Sequence, residues 1–397
     1  MSEWKECRIG DLVERITSGG TPSTKIKEYY GGMIPWLNTK EINFNRIYST
    51  ELTITEEGVE NSSAKWIKAD SVIVAMYGAT AGKVAINKIP LTTNQACCNI
   101  SLDPLKADYR FIYYYLLSSY AELQMLATGA AQQNLNAGML SDFLVKLPSL
   151  PEQRAIAAVL SSLDDKIDLL HRQNKTLESL AETLWRKMFV EKSDSNWKTV
   201  TLKECCLVIT KGTTPTTLKK SFVARGINFI KVNCIDEKGN FITEKFDQID
   251  HETDELLKRS RLKEGDILYS IAGTIGRMAI VSKDILPANT NQALAILRIN
   301  NNICNSVFIK YCLRDKLITE DMHSKIVHAV QPNLSLGEIA NTVLPRPPDD
   351  LLDEFISIIE PIELKLRENK SQIRTLSYLR DTLLPKLMSG EVKVKVE

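Results

Sequence analysis

The stretch EQRAIAAVLSSLDDKIDLLHRQNKTLESLAETLWRKMFV, residues 152–190, decides how this chain is read. Its apolar side chains fall at Ile156, Leu160, Leu163, Ile167, Leu170, Leu177, Ala181, Leu184 and Met188, with Asn174 in the one remaining slot. Steps of four and three residues alternate, which is the 3.5-residue period of a coiled-coil seam and not the broader stripe of a lone surface helix. Pro151 and Glu152 suit the first turn, where a missing N–H costs nothing and a carboxylate faces the positive end of the helix dipole. Such a helix needs a partner.

A second seam lies in the same chain, at Phe355, Ile359, Ile362, Leu366, Asn369, Ile373, Leu376, Arg380, Leu383 and Leu387. Each seam holds one asparagine. If the helices run antiparallel with Asn174 against Asn369, then Leu170 meets Ile373, Leu177 meets Leu366, Ile167 meets Leu376, Leu160 meets Leu383 and Leu184 meets Ile359. A slip of seven residues would also match apolar to apolar, but it would bury an unpaired amide on each helix at about 1–3 kcal/mol apiece. The amide pair therefore selects the register. Leu163 against Arg380 is a poor match, and Pro361 is expected to kink the second helix or to mark its first turn.

Around these helices the chain repeats itself. Trp4-Lys5 returns as Trp197-Lys198, TSGGTPST (17–24) as TKGTTPTT (210–217), and IPWLN (34–38) as INFIK (227–231). GATAGK (78–83) returns as AGTIGR (272–277), TNQA (93–96) as TNQA (290–293), and FIYYYL (111–116) as FIKYCL (308–313). QQNL (132–135) returns as QPNL (331–334), and Leu147-Pro148 as Leu344-Pro345. Eight words in one order, at an offset drifting only from 193 to 199, mark an internal duplication. The organisation expected is a globular domain at 1–150, a helix at 151–192, a second globular domain at 193–348, and a second helix with the C-terminal tail at 349–397. Within each domain, β-branched runs such as Asp70 to Ala75 and Leu262 to Tyr269 end at glycine turns and predict short strands, while 109–126 and 305–320 predict helices. The fold class is α+β, with two duplicated domains separated by an antiparallel coiled coil.

The chain has 397 residues, 44% hydrophobic and 25% charged, as in an ordinary soluble protein with room for several cores. No apolar run reaches membrane-spanning length and MSEWKECRIG is no signal peptide, so a cytoplasmic protein is expected. The eight cysteines show no CxxC spacing and form no ligand pattern with the four histidines, so reduced, mostly buried thiols are expected and no metal site. Net charge is +1, unevenly spread: residues 1–150 carry 14 basic against 15 acidic side chains, and 195–346 carry 21 against 16. Any contact with a polyanion must come from local patches.

No catalytic motif emerges. GATAGK and AGTIGR lack the spacing of a phosphate loop, with Val84 where a Ser or Thr would follow the lysine. There is no GxGxxG opening a helix after a strand, no Asn-Pro-Pro-Tyr or Asp-Pro-Pro-Tyr motif, and no GxSxG elbow. A fused methyltransferase or nuclease is thereby disfavoured; a duplicated adaptor for RNA or protein partners stands as the alternative to a DNA reader.

The whole-chain plan resembles the specificity (S) subunit of type I restriction–modification systems. The marks are Trp4-Lys5 with Gly10-Asp11-Leu12, the GGTPS, IPWLN and TNQA words, Leu147-Pro148 leading into Pro151-Glu152-Gln153-Arg154-Ala155-Ile156, and the closing Leu383-Leu384-Pro385-Lys386-Leu387-Met388-Ser389-Gly390-Glu391-Val392. The second copy departs from the pattern at Asp349-Asp350, where the first has Glu152-Gln153. The resemblance implies two target-recognition domains, each reading one half of a split site in double-stranded DNA. It also implies that the helices separate these domains and dock two modification (methyltransferase) subunits, which restriction subunits then join. Catalysis, S-adenosylmethionine, ATP and Mg would belong to those partners, with no cofactor in this chain. A helix of about 35 residues spans roughly 50 Å, on the order of one to one and a half turns of DNA at about 34–36 Å each.

Phosphate contacts need Lys, Arg, hydroxyl or amide donors on exposed loops, and base reading needs Asn, Gln, Arg or Lys at a groove edge. The candidates are Lys25, Asn38, Lys40, Tyr77, Thr80 and Lys83 in the first domain, and Lys219, Lys220, Lys231, Asn233, Thr274 and Arg277 in the second. Each of the lysines also fits a plain solvated charge. Gln95 and Gln292 fit a structural role instead, because both copies keep them although the two should read different sequences.

Overall fold

The structure is a computed structural model that describes residues 4–128, 134–325 and 333–395. It divides into two compact units, 1–175 with 367–397, and 176–366. The helices thus do not stand apart as bodies of their own, as the boundaries at 151–192 and 349–397 would have them; each unit incorporates part of both.

The first unit is built on a five-stranded sheet in the spatial order Val13–Ser18, Cys97–Leu102, Val72–Ala75, Val84–Asn87, Asn45–Ile47. A three-stranded sheet (Leu52–Ile54, Tyr30–Leu37, Thr92–Thr93) and a ribbon of Lys5–Arg8 against Leu144–Leu147 complete it. Val72 to Ala75 are all buried, as a run apolar on both faces requires. The helix Tyr109–Ser118 packs its Phe111, Ile112, Tyr113 and Tyr114 into the same core as Val72, Val74, Ile86 and Ile100. Asp108 caps it, accepting from the backbone N–H of Arg110 and Phe111 at 2.9 and 3.3 Å, so the chain turns into helix at a defined residue.

The second unit repeats this wiring. Its main sheet runs Cys206–Lys211, Leu294–Ile299, Ile267–Ser270, Met278–Ile280. Its three-stranded sheet is Asp247–Ile249, Ile227–Ile230, Ala288–Thr290, and its ribbon pairs Lys198–Thr201 with Val343–Arg346. Among the described residues, nothing in the second unit matches the edge strand Asn45–Ile47. Of the eight repeated words, QQNL and QPNL lie partly outside the described residues. The single helices expected at 109–126 and 305–320 are each broken in two, at Ser119 and before Lys316. In the second case Asp315 caps a new start by accepting from the Leu317 N–H at 3.0 Å.

The first long helix spans Leu150–Trp185 and its last turn widens into a π-turn at Arg186–Val190, so the seam outruns regular α geometry by one turn. The second spans Asp349–Met388 without a break at Pro361, which neither starts nor ends it as the sequence suggested. Pro361 is exposed, so water can solvate the carbonyl left without its N–H partner.

Within the first unit, Asn369 Nδ2 donates to Asn174 Oδ1 at 2.9 Å, and Arg380 Nη1 donates to Asp164 Oδ1 at 2.9 Å. One partner moves back along its helix while the other moves forward, so the pair is antiparallel. Arg380 is therefore not stranded against Leu163; its long stem lets the guanidinium reach the neighbouring carboxylate. Ile156, Leu160, Ile167, Leu170 and Leu387 are buried, and Leu163, Ile373, Leu376 and Leu383 half-buried. In the second unit Ala181, Met188, Phe355, Ile359, Ile362 and Leu366 share one core, with Leu177 and Leu184 packed against it.

Cys205 and Cys304 are joined as a disulfide with Cα atoms 5.4 Å apart, which corrects the expectation of reduced thiols throughout. The Cys205 carbonyl accepts from Asn300 N–H at 2.8 Å, which brings the turn carrying Cys304 against it. The remaining six cysteines are buried or half-buried thiols. No described helix is long and apolar enough to cross a membrane.

Candidate nucleic-acid interface

Two loops in each unit carry most of the candidate residues. In the first unit the strand Tyr30–Leu37 leads into Asn38, whose side chain accepts from Lys40 N–H at 3.2 Å and whose own N–H donates to Glu41 Oε1 at 3.0 Å. Asn38 is thus engaged as the cap of the short turn Thr39–Glu41. The facing loop, 76–83, joins two buried strands and carries Tyr77, Thr80 and Lys83. It needs left-handed backbone at Gly78 and Gly82, with φ of 83° and 79°, and a Cβ on Gly82 would come within 3.2 Å of Leu123. Three of its amides close the turn: Ala81 N–H donates to Gly78 O, Gly82 N–H to Ala75 O and Lys83 N–H to Thr80 O.

Lys83 ties the two loops together. Its Nζ donates to Asn43 Oδ1 at 2.7 Å and lies 5.8 Å above the Phe44 ring. In the second unit Arg277 does the same from the equivalent place, donating to Ile235 O at 3.0 Å across to the turn Val232–Cys234. Both side chains are half-buried, though the Asn43 that accepts from Lys83 is itself exposed.

The other candidates divide by what holds them. Lys25 and Lys219 are exposed, Lys25 in a tight turn and Lys219 at φ 56° closing the turn Pro215–Leu218; neither forms an ion pair among the described residues. Asn233 and Thr274 are exposed. Lys40 is exposed but lies 3.0 Å from Glu51, and the hydrogen bond to that carboxylate raises its pKa above the usual lysine value. Lys220 is held by Glu252 at 2.6 Å with the same consequence. Lys231 pairs with Asp247 and sits 5.4 Å over the Phe222 ring. Tyr77 and Thr80 are half-buried; burial pushes the Tyr77 hydroxyl above its ordinary value, so it remains a proton donor at neutral pH.

Gln95 and Gln292 close the same latch in both copies. Thr21 Oγ1 meets Gln95 Oε1, and Thr214 Oγ1 meets Gln292 Oε1 at 2.5 Å. The preceding Asn94 and Asn291 each accept from the N–H two residues on, at 3.2 Å. The TNQA word is therefore a turn.

Beside these loops lies a polar constellation that the sequence reading missed. Tyr114 OH donates to Asp164 Oδ2 at 2.6 Å, and Arg46 Nη1 is 3.4 Å from the same oxygen, with side-chain exposures of 6% for Arg46 and 7% for Asp164. The second unit has a counterpart in Tyr311 OH donating to Glu363 Oε1 at 2.8 Å, with Lys310 Nζ 2.6 Å away. Tyr114 and Tyr311 occupy the same place in FIYYYL and FIKYCL, and Asp164 and Glu363 each interrupt an apolar helix face. That coincidence was the available signal.

Comparison with known proteins follows the same lines. A family profile described as "Type I restriction modification DNA specificity domain" matches residues 1–179 and again 194–374. Over 99% of this chain, 30% of residues are identical to the type I restriction enzyme MjaIX specificity subunit of Methanocaldococcus jannaschii, 94% of which is covered. The EcoBI specificity subunit of Escherichia coli is 24% identical over 96% of this chain and 85% of its own. The crystal structure of the type I restriction–modification system S subunit from M. genitalium superposes with a TM-score of 0.66 at 20% identity, covering 97% of this chain and 96% of that one.

Proposed function

We propose, from the premise that this chain belongs to the type I restriction–modification DNA specificity family, that each unit reads one half of a bipartite target in double-stranded DNA. The chain is the sequence-recognition subunit, and no catalytic step is assigned to its own residues. The paired helices set the gap between half-sites and dock two modification subunits, to which restriction subunits add. Methyl transfer and cleavage, with S-adenosylmethionine, ATP and Mg, belong to those partners.

The observation that carries this reading is the duplicated wiring: two sheets of matching strand order, each with its own three-stranded sheet and ribbon. Two similar readers with diverged loops are what a target with two unlike halves calls for. Phosphate contact falls to the exposed Lys25 and Lys219, and base-edge contact to Asn233 and Thr274. Lys40, Lys220 and Lys231 would first have to leave their carboxylates, and Asn38, Lys83 and Arg277 are engaged in bonds that shape the loops. Mapping N6-methyladenine across the genome of cells with and without this chain tests the reading. A methylated motif in two parts with a fixed unread gap, lost with the chain, is expected; an unchanged methylation pattern refutes it.

A further inference from the structure

Arg46 lies on Asn45–Ile47, the edge strand of the first unit's sheet, directly after the loop that Lys83 ties down. Its Nη1 is 3.4 Å from Asp164 Oδ2 and 3.6 Å from Asp168 Oδ2, and its Nε is 3.3 Å from Asp165 Oδ1. Its Nη2 donates to Tyr114 OH at 3.3 Å. From the second long helix, Arg380 takes the other oxygen of Asp164. Three carboxylates at i, i+1 and i+4 of one helix repel each other, and burying such charges is costly unless a cation answers them. Arg46 is the cation that reaches all three.

The loop leading to Arg46 has little freedom. Asn45 Oδ1 accepts from Asn43 N–H at 2.8 Å, and Asn45 Nδ2 donates to Glu41 O at 3.1 Å. Phe44 sits at φ 54° with its ring edge-on to Tyr120, centroids 4.9 Å apart. A bulky side chain in the left-handed region persists only where its surroundings hold it there. In the second unit the corresponding carboxylate, Glu363, is answered by Lys310 and Tyr311 from the helix Ser306–Cys312, with no loop involved.

We propose that Arg46 is a positioning residue: by gripping Asp164, Asp165 and Asp168 it fixes the loop 41–45, and through Asn43 the loop of Lys83, at one place along the first long helix. The first reading surface is thereby registered on the helix that sets the gap, so gap length is discriminated. This rests on the DNA-recognition reading above.

The test uses the chain assembled with its modification subunits and three duplexes carrying the wild-type half-sites, with the gap native, one base pair shorter and one base pair longer. Arg46→Gln is expected to lose about ten-fold of the preference for the native gap, the size of effect of a single mismatch. Arg46→Lys should recover part of it, keeping the charge without the fork, and Asp165→Asn, at an exposed carboxylate, should fall between. A cluster that merely stabilises the fold would depress methylation of all three duplexes alike. An unchanged ratio in Arg46→Lys and Asp165→Asn, which retain a cation–carboxylate pair and so fold, overturns the proposal. A wild-type assembly without any target sequence would instead overturn the reading on which it rests.

Discussion

Glu363 is a charge held in a dry place. Burial works against its ionised form, but Lys310 and the Tyr311 hydroxyl outweigh it and hold the carboxyl below its usual value. A carboxylate depressed in the folded state stabilises the protein above its unfolded pKa of about 4.3, and that contribution is lost as pH falls through the lower folded value. Glu363→Gln should therefore cost about 3 kcal/mol at neutral pH by stranding Lys310, and thermal melts across pH should show a flatter acid limb than the wild type. The same scale decides the lysines. Lys25→Ala or Lys219→Ala should each lower the slope of log K against log salt by about 0.9, measured by titrating the assembled complex with its target, whereas Lys83→Met should leave that slope alone and lower stability. The sequence nominated Lys83 and Arg277 on the strength of their glycine turns. It could not say what engages them, because their acceptors, Asn43 and Ile235, lie about forty residues upstream.

Elements were legible where the signal is local. A seam repeats every seven residues, so its period, its partner and its asparagine pair all stand in the text. What escaped was context: Pro361 is harmless because its face is exposed, Arg380 finds Asp164, and Cys205 meets Cys304 across 99 residues of sequence. The register makes a direct prediction. Cysteines placed at Leu170 and Ile373 should crosslink within one chain on mild oxidation, detected by mass spectrometry; a folded protein that fails to crosslink would count against the pairing. Asn174→Leu alone should cost about 1–3 kcal/mol, the desolvation of the Asn369 amide left behind. Adding Asn369→Leu should restore melting temperature while reducing the crosslinked fraction, since nothing then forbids a slip of seven.

At the scale of the molecule the duplication was plain in eight matched words and returns as matched strand order. The edge strand Asn45–Ile47, which no strand among the described residues of the second unit matches, was invisible because neither copy carries a word there. The two compact units cut across both long helices for a physical reason. A helix read from periodicity looks like an independent rod, whereas its buried face is shared out among the cores it packs against, as Ile156, Leu160, Leu384 and Leu387 show in the first unit. A chain ending at Leu366 should accordingly keep the second unit's contents and lose the first unit's inner seam, seen in calorimetry as loss of one transition with the other retained.

That the first unit draws on both 1–175 and 367–397 also constrains how the protein is born. A ribosome delivers everything the second unit needs before it delivers Leu384, Leu387 and Met388, which share a core with Ile156 and Leu160. Until then the apolar stripe of the first long helix is only partly covered, Ile156 and Leu160 sharing a core with Phe111 and Val145 from the preceding chain.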